Sequence, residues 1–234
     1  MSRKVVLLMP GLMNPASLWN DVRQLIDSSV EIKIADFTTQ ESLDEMAASA
    51  WEAIADASDA EVVLCGFSMG SYVALEMLAK PRFSLKAALL IGSSIRPETE
   101  QAHLMREKSI GFIERDFKAF VDRLVPFLVA DGFLKNTEII EQLKSSMLSV
   151  GKEAAIRQNR AISKRSLNHK ALASCKTPVA LMCGLEDKVN SFEKTQEIAQ
   201  VLNVQSVSLL RGVGHMVVVE DPKSIADCIK SLFE

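Results

Sequence analysis

Apolar and polar positions follow two different patterns along this chain. Six short runs are almost continuously apolar and rich in Val, Ile, Leu and Ala, which is typical of parallel strands covered on both faces. These runs cover residues 4–9, 31–35, 61–65, 86–91, 179–183 and 205–210. Segments with helical periodicity lie between them, at residues 16–28, 43–57, 69–79, 192–202 and 224–233. The alternation predicts an α/β fold with a doubly wound, mostly parallel six-stranded sheet.

Residues 96–173 interrupt this alternation. They contain several amphipathic helical patterns and no convincing strand. A segment of this length is too long to be a loop within one compact domain. We therefore expect an all-helical cap at residues 96–173, inserted into a core made of residues 1–95 and 174–234.

The third apolar run ends in a Gly-x-Ser-x-Gly motif, from Gly66 to Gly70, and a helical pattern follows at once. This strand, turn and helix context is the one in which the motif forms a nucleophile elbow. The glycines suit the close approach of strand and helix, because a side chain at either position has little room. The motif indicates that Ser68 is a nucleophile exposed at the carboxyl end of its strand.

A serine nucleophile needs a general base and a group that orients the base. Of the three histidines, only His215 lies in a loop directly after a predicted strand, whereas His103 and His169 fall in the predicted cap. The acid should lie between Ser68 and His215, and Asp187 follows the fifth predicted strand. Glu186 is the neighbouring alternative. We expect Ser68, Asp187 and His215 to form a catalytic triad.

The order Ser, Asp, His is that of α/β-hydrolases. The chain resembles the α/β-hydrolase superfamily, especially its small, capped, carboxylesterase-like members, over nearly its whole length. The resemblance rests on the motifs that begin at Leu8, Gly66, Gly184 and Gly214. The leading β-hairpin of that fold is missing here, which implies six core strands instead of eight.

The resemblance also implies an oxyanion hole and an activity. By analogy, the backbone N–H groups of Leu12 and Met69 would hold the oxyanion, although Pro10-Gly11-Leu12 replaces the His-Gly start common in such loops. The expected function is hydrolysis of a small to medium carboxylic ester or thioester through an acyl-enzyme on Ser68. Carbon–carbon hydrolysis, acyl transfer and cofactor-free peroxidation use the same triad and stay open. A non-catalytic small-molecule receptor on this fold is the alternative from another class.

The cap suggests some substrate contacts. Phe112, Phe120 and the apolar Met216 after the base are candidates for lining an acyl pocket, although phenylalanines at helical spacing also pack helices together. Basic residues around Arg157 suggest a substrate that is anionic or carrier-linked, or else an ordinary solvated helix face.

Composition narrows the class of protein further. The chain has 234 residues, 48% hydrophobic residues and a net charge of −3, which argues against nucleic-acid binding. Four cysteines without a Cys-x-x-Cys pair, no signal-peptide cleavage site and no long apolar run predict a cytoplasmic protein that is not in a membrane. We expect no cofactor and no metal, because no ligand-spaced cluster occurs. The small-molecule acyl substrate is the expected partner, and the oligomeric state is open.

Overall fold

The strands form one sheet at the centre of the molecule. A computed structural model describes residues 2–234. All neighbouring strands are parallel, and their order is β2-β1-β3-β4-β5-β6. The strands are β1 Lys4–Met9, β2 Val30–Ile34, β3 Glu61–Phe67, β4 Ala87–Ile91, β5 Val179–Gly184 and β6 Val207–Leu210. The six-stranded sheet predicted from the apolar runs is confirmed, with boundaries shifted by at most two residues.

Eleven α-helices connect or follow the strands within residues 2–234. They are α1 Asn20–Leu25, α2 Leu43–Ala53, α3 Met69–Ala79, α4 Glu100–Arg115, α5 Phe117–Leu128, α6 Thr137–Ser149, α7 Lys152–Ser163, α8 His169–Ala173, α9 Phe192–Leu202, α10 Val217–Glu220 and α11 Pro222–Leu232. The helix predicted at 16–28 begins as a 3-10 turn, Ala16–Trp19, and ends at Leu25. No helix in the part of the chain described is both long and apolar enough to cross a lipid bilayer.

The sheet separates two apolar cores. Successive side chains of a strand point to opposite faces. In β1, Val5 and Leu7 join a core with α2 and α3, whereas Val6 and Leu8 join a second core that includes α1 and α11. Both faces of the sheet are therefore covered by helices, which explains why the strand sequences are continuously apolar.

Between β4 and β5 the chain forms α4 to α8 and no described strand. α4 packs against α7, and α5 packs against α6. Side chains of α5 and α6, such as Val121 and Leu143, belong to the second core. The helical character expected for this segment is thus observed, and its division from the rest as a cap domain stays a prediction.

Candidate active site

Ser68 lies on a strained turn between β3 and α3. Its φ and ψ are 50° and −115°, values that a non-glycine residue adopts only when the surrounding structure enforces them. Its backbone N–H donates to the Ile91 carbonyl over 2.8 Å. The side chain is partly exposed at the carboxyl edge of the sheet.

The flanking glycines make this turn possible. A Cβ atom on Gly66 would lie 2.5 Å from the Gly70 carbonyl oxygen, and one on Gly70 would overlap the Met9 carbonyl. Real Cβ atoms do not approach other atoms so closely. Glycine is therefore the residue that lets β1, β3 and α3 meet behind Ser68.

His215 contacts Ser68 from the loop after β6. Its Nε2 is 2.9 Å from Ser68 Oγ, and the residue is buried. Its backbone N–H donates to the Leu128 carbonyl at the end of α5 over 2.7 Å. The other histidines lie against different partners: His103 Nδ1 is 2.6 Å from Ser163 Oγ, and His169 Nε2 is 3.1 Å from the Ile95 carbonyl.

Asp187 holds the other side of the imidazole. Its Oδ2 is 2.7 Å from His215 Nδ1, and its Oδ1 accepts the backbone N–H groups of Val189 and Asn190 at 2.7 and 2.8 Å. Every oxygen of this buried carboxylate therefore has a partner. Glu186 instead lies on the surface and accepts the Asp131 N–H over 3.3 Å. The structure thus brings Ser68, His215 and Asp187 into one hydrogen-bonded chain.

Two backbone donors near Ser68 are open. Neither the Leu12 nor the Met69 N–H has a hydrogen-bond partner within residues 2–234. The next amide along, that of Met13, instead donates to Gln158 Oε1 over 2.8 Å. Met69 is also the first residue of α3, where the helix dipole favours a developing negative charge.

Gln158 on α7 holds this loop in place, which the sequence did not indicate. The side chain is buried, and its Nε2 donates to the Phe37 carbonyl over 3.0 Å while Oε1 accepts from Met13. Met13 itself has a positive φ of 55°. One amide therefore fixes the strained loop after β1 to the segment after β2.

Glu220 performs a similar role for the loop between β6 and α10, which carries His215 and is called the histidine loop below. The sequence did not indicate this role either. Its Oε2 accepts the N–H groups of Ala130 and Gly214 at 2.8 and 3.0 Å. Burial raises the pKa of Glu220, and the backbone donors, with Met216 among them, act in the opposite direction. The carboxylate connects the end of α5 to the loop that carries His215. A Glu shortly before Asp221-Pro222 was visible in the sequence, but its contact with Ala130 was not.

A cavity of about 230 Å³ opens over Ser68 and His215. Helices α4 to α7 contribute most of the wall opposite the sheet. Its lining residues are Leu12, Met13, Asn14, Phe67, Ser68, Tyr72, Arg106, Ser109, Phe120, Leu124, Phe127, Leu128, Met147, Asn159, Ile162, Val189, His215 and Met216. Phe120 and Met216, two of the expected substrate contacts, are thus among the residues that line the cavity.

Phe112 and Arg157, the other two expected substrate contacts, do not line this cavity. Phe112 packs edge-on against Phe120, with ring centroids 5.8 Å apart, and the guanidinium groups of Arg115 and Arg123 lie over its ring. Arg157 donates from Nε and an Nη atom to the Thr38 carbonyl. Both side chains therefore support packing between elements.

Within residues 2–234 no group of three or more His, Cys, Asp or Glu side chains is placed to hold a metal ion. The arrangement around Ser68 instead combines a hydroxyl, an imidazole, a buried carboxylate and two open amides. Such a set is suited to acyl transfer.

Comparison with known proteins agrees with this architecture. The sequence model described as "Alpha/beta hydrolase family" matches residues 5–228. No curated protein matches this sequence.

Solved structures share the fold at low sequence identity. An esterase from Thermogutta terrifontis with malate bound is 20% identical, with a TM-score of 0.84 and coverage of 99% of this chain and 90% of the other. The enol-lactonase from Burkholderia xenovorans LB400 is 14% identical, with a TM-score of 0.85 over 100% and 92%. A bromoperoxidase from Bacillus anthracis is 15% identical, with a TM-score of 0.85 over 98% and 91%.

Proposed function

The chain belongs to the alpha/beta hydrolase family, and from this premise we propose that it is a serine hydrolase of small to medium carboxylic esters or thioesters. The single observation that carries the proposal is the hydrogen-bonded chain from Ser68 Oγ through His215 to Asp187 Oδ2 at the floor of a cavity. Further support comes from the esterase and enol-lactonase that share the fold.

The first half of the proposed reaction acylates Ser68. Ser68 Oγ attacks the substrate carbonyl carbon while His215 Nε2 takes the hydroxyl proton. Asp187 accepts the Nδ1–H, which selects the tautomer with a free Nε2 and stabilises the imidazolium that forms. The tetrahedral intermediate collapses, and the alcohol or thiol leaves with the proton that His215 returns.

The second half releases the acid. Water attacks the acyl-enzyme while His215 takes its proton, and Ser68 Oγ leaves with that proton restored. In both halves, the open N–H groups of Leu12 and Met69 donate hydrogen bonds to the negatively charged carbonyl oxygen. Donors of this kind typically contribute about 10²–10³ in rate each. The strained backbone at Ser68 keeps Oγ and the Met69 amide oriented towards the same carbonyl.

The test is covalent labelling of the intact protein with a fluorophosphonate probe, read by intact mass and peptide mapping. We expect one label per chain on Ser68, and no label in His215→Ala. The exposed Ser231→Ala serves as the matched control and should label like the wild type. A folded protein that takes up no label would contradict the proposal and favour the receptor alternative.

Turnover gives the second measurement. Ser68→Ala should lower kcat on a para-nitrophenyl ester by about 10⁶, because the acyl-enzyme cannot form. Circular dichroism of the variant should match that of the wild type. If Ser68→Ala kept most of the activity, Ser68 could not be the nucleophile.

A further inference from the structure

A second depression adjoins the catalytic cavity and shares Tyr72, Arg106, Ser109 and Val189 with it. We call its four charged side chains, Glu98, Arg106, Arg165 and Lys194, the basic vestibule. It contains three cations and one carboxylate, so its formal charge is positive. Positive charge in such a partly enclosed site is costly unless an anion neutralises it.

Glu98 is shared between two arginines. Its Oε1 is 3.2 Å from an Nη atom of Arg106 and also contacts Arg165, and its side chain is 7% exposed. Burial acts to raise the pKa of Glu98, but the hydrogen bonds and charges of Arg106 and Arg165 outweigh burial and lower it. A single ionised carboxylate cannot neutralise both guanidinium groups.

Lys194 has no carboxylate partner among the residues described. Its Nζ donates to the carbonyl oxygen of Val189 at 2.7 Å and contacts Asn190 Oδ1 at 3.4 Å. Burial lowers the pKa of Lys194; the charges of Arg96 and Arg165 act in the same direction, and those of Asp187 and Glu98 oppose them. Asp187 is the nearby carboxylate of the active site, but its oxygens already face His215 and two backbone amides.

Arg106 is the vestibule cation that lines the catalytic cavity itself. Its three hydrogen bonds are long: Nε and one Nη lie 3.5 and 3.2 Å from Glu98, and the other Nη lies 3.2 Å from Asn159 Oδ1. Arg165 is held more firmly, because it also donates twice to the Arg96 carbonyl and lies 4.7 Å from the Tyr72 ring centroid. Arg106 therefore keeps donor capacity for a ligand in the cavity.

We propose that Arg106 is a specificity-determining residue that binds a carboxylate on the substrate, so that the preferred esters are those with a free carboxylate on the acyl side. This inference rests on the proposed function. A guanidinium group pairs with a carboxylate through two parallel hydrogen bonds, which gives direction as well as charge. The cavity volume of about 230 Å³ suits a short dicarboxylic half-ester.

The kinetic test compares two esters of similar size. One is the mono-para-nitrophenyl ester of adipic acid; in the other, an isopropyl group replaces the carboxylate. After subtraction of the uncatalysed rate, the wild type should show the higher kcat/KM on the anionic ester. Arg106→Gln should lower the ratio of the two kcat/KM values by about tenfold to a hundredfold. A wild type without this preference, or a ratio unchanged in Arg106→Gln, would overturn the proposal.

Two further variants distinguish the paired hydrogen bonds of Arg106 from the effect of positive charge alone and from a failure to fold. Arg106→Lys keeps the positive charge but loses the paired N–H donors of the guanidinium group. Its ratio of the two kcat/KM values should therefore fall between those of the wild type and Arg106→Gln. It also carries the test if Arg106→Gln does not fold. Lys108→Gln removes a cation from an exposed position on the same helix and should leave the ratio unchanged. An equal fall in Lys108→Gln would show a general field effect and overturn the role of Arg106.

Binding of adipate itself distinguishes this inference from the proposed function. Calorimetry on Ser68→Ala should detect adipate binding, weakened at least about tenfold when Arg106→Gln is added. If neither ester is hydrolysed and Ser68 takes no label, the proposed function fails while adipate binding still reports on Arg106. If the esters are hydrolysed but adipate does not bind, the proposed function stands and the proposed role of Arg106 is wrong.

Discussion

The turn around Ser68 and the helical wall opposite it are built in different ways. At the turn, Gly66 and Gly70 have no room for even one additional carbon, and backbone atoms make the contacts. In α4, which contributes to the wall, Gly111 has open space around it, and Arg106 and Asn159 meet through side chains. Backbone packing fixes Ser68, the proposed nucleophile, whereas side chains at positions with room for substitution shape the pocket. The pocket-lining side chains of the wall can therefore change without disturbing the turn at Ser68.

The two regions meet at the histidine loop. Gly214 lies so close to the end of α5 that a Cβ atom there would be 2.5 Å from the Ala130 nitrogen. The His215 N–H donates to Leu128, in the same part of α5. The helical wall thus supports His215, the proposed base, as well as the pocket. The contrast between the two regions is sharpest at Ser68 and Arg106.

After Ser68→Ala, the largest effect should come from Asp187, the proposed acid of the triad. Asp187→Asn removes the carboxylate that selects the His215 tautomer, so kcat on a para-nitrophenyl ester should fall by about 10⁴. Glu186→Gln is the matched control, because Glu186 is the adjacent carboxyl group and lies on the surface. Steady-state kinetics of both variants decide the matter. Similar losses in the two would contradict the geometry at Asp187.

Replacement of one glycine by alanine in each region tests the contrast between the regions directly. Gly70→Ala should lower the free energy of unfolding by about 1–3 kcal/mol or more, since its methyl group overlaps the Met9 carbonyl. Gly111→Ala, in the exposed interior of α4, should raise that free energy by about 0.5–1 kcal/mol. Urea denaturation measures both. A tolerated Gly70→Ala would break the comparison.

Much of the structure around Ser68 follows from local sequence. The apolar run of β3, the glycines at 66 and 70, and the helical pattern of α3 are contiguous, so the turn at Ser68 could be predicted from one short segment. The positions of Asp187 and His215 after strands could be predicted as well, because the carboxyl ends of parallel strands lie at one edge of the sheet.

The wall could not be predicted in this way, because helical periodicity gives the apolar face of a helix but not the surface that it contacts. Phe112 and Arg157 were expected at the substrate for their residue types, yet they face Phe120 and the Thr38 carbonyl. Gln158 and Arg106 have no local motif, and their roles depend on how α7 and α4 pack. Contacts between distant segments, such as Gln158 with Met13, are fixed only by the tertiary structure.

A smaller effect should follow from cutting the link between the wall and the loop after β1. Gln158→Leu leaves the Met13 N–H and the Phe37 carbonyl unpaired, which should cost about 1–3 kcal/mol of unfolding free energy. Because the loop also carries the Leu12 amide, kcat should fall more than KM changes.

Gln158→Glu provides the matched comparison for that link. Its carboxylate can still accept from Met13 but cannot donate to Phe37, so kcat should recover in part. A stability loss in Gln158→Leu with unchanged kcat would show that the link supports folding alone. In that case the N–H groups of Leu12 and Met69 would be positioned without help from the helical wall. The turn around Ser68 would then be independent of the wall in this respect.

The smallest effect concerns pH and Glu220. Burial raises the pKa of this carboxyl above its usual 4.5, so the stability it contributes at low pH is lost as pH rises through the folded-state value. Glu220→Gln cannot ionise, and its side-chain oxygen can still accept from Ala130 and Gly214. The unfolding free energy of the variant minus that of the wild type should therefore increase between about pH 4 and pH 7. Denaturation curves across that range measure it, with the exposed Glu114→Gln as the control. A flat difference would contradict the raised pKa, because burial and the amide donors would then balance. A difference that falls with pH would mean that the amide donors outweigh burial, so that the ionised Glu220 itself stabilises the contact between α5 and the histidine loop.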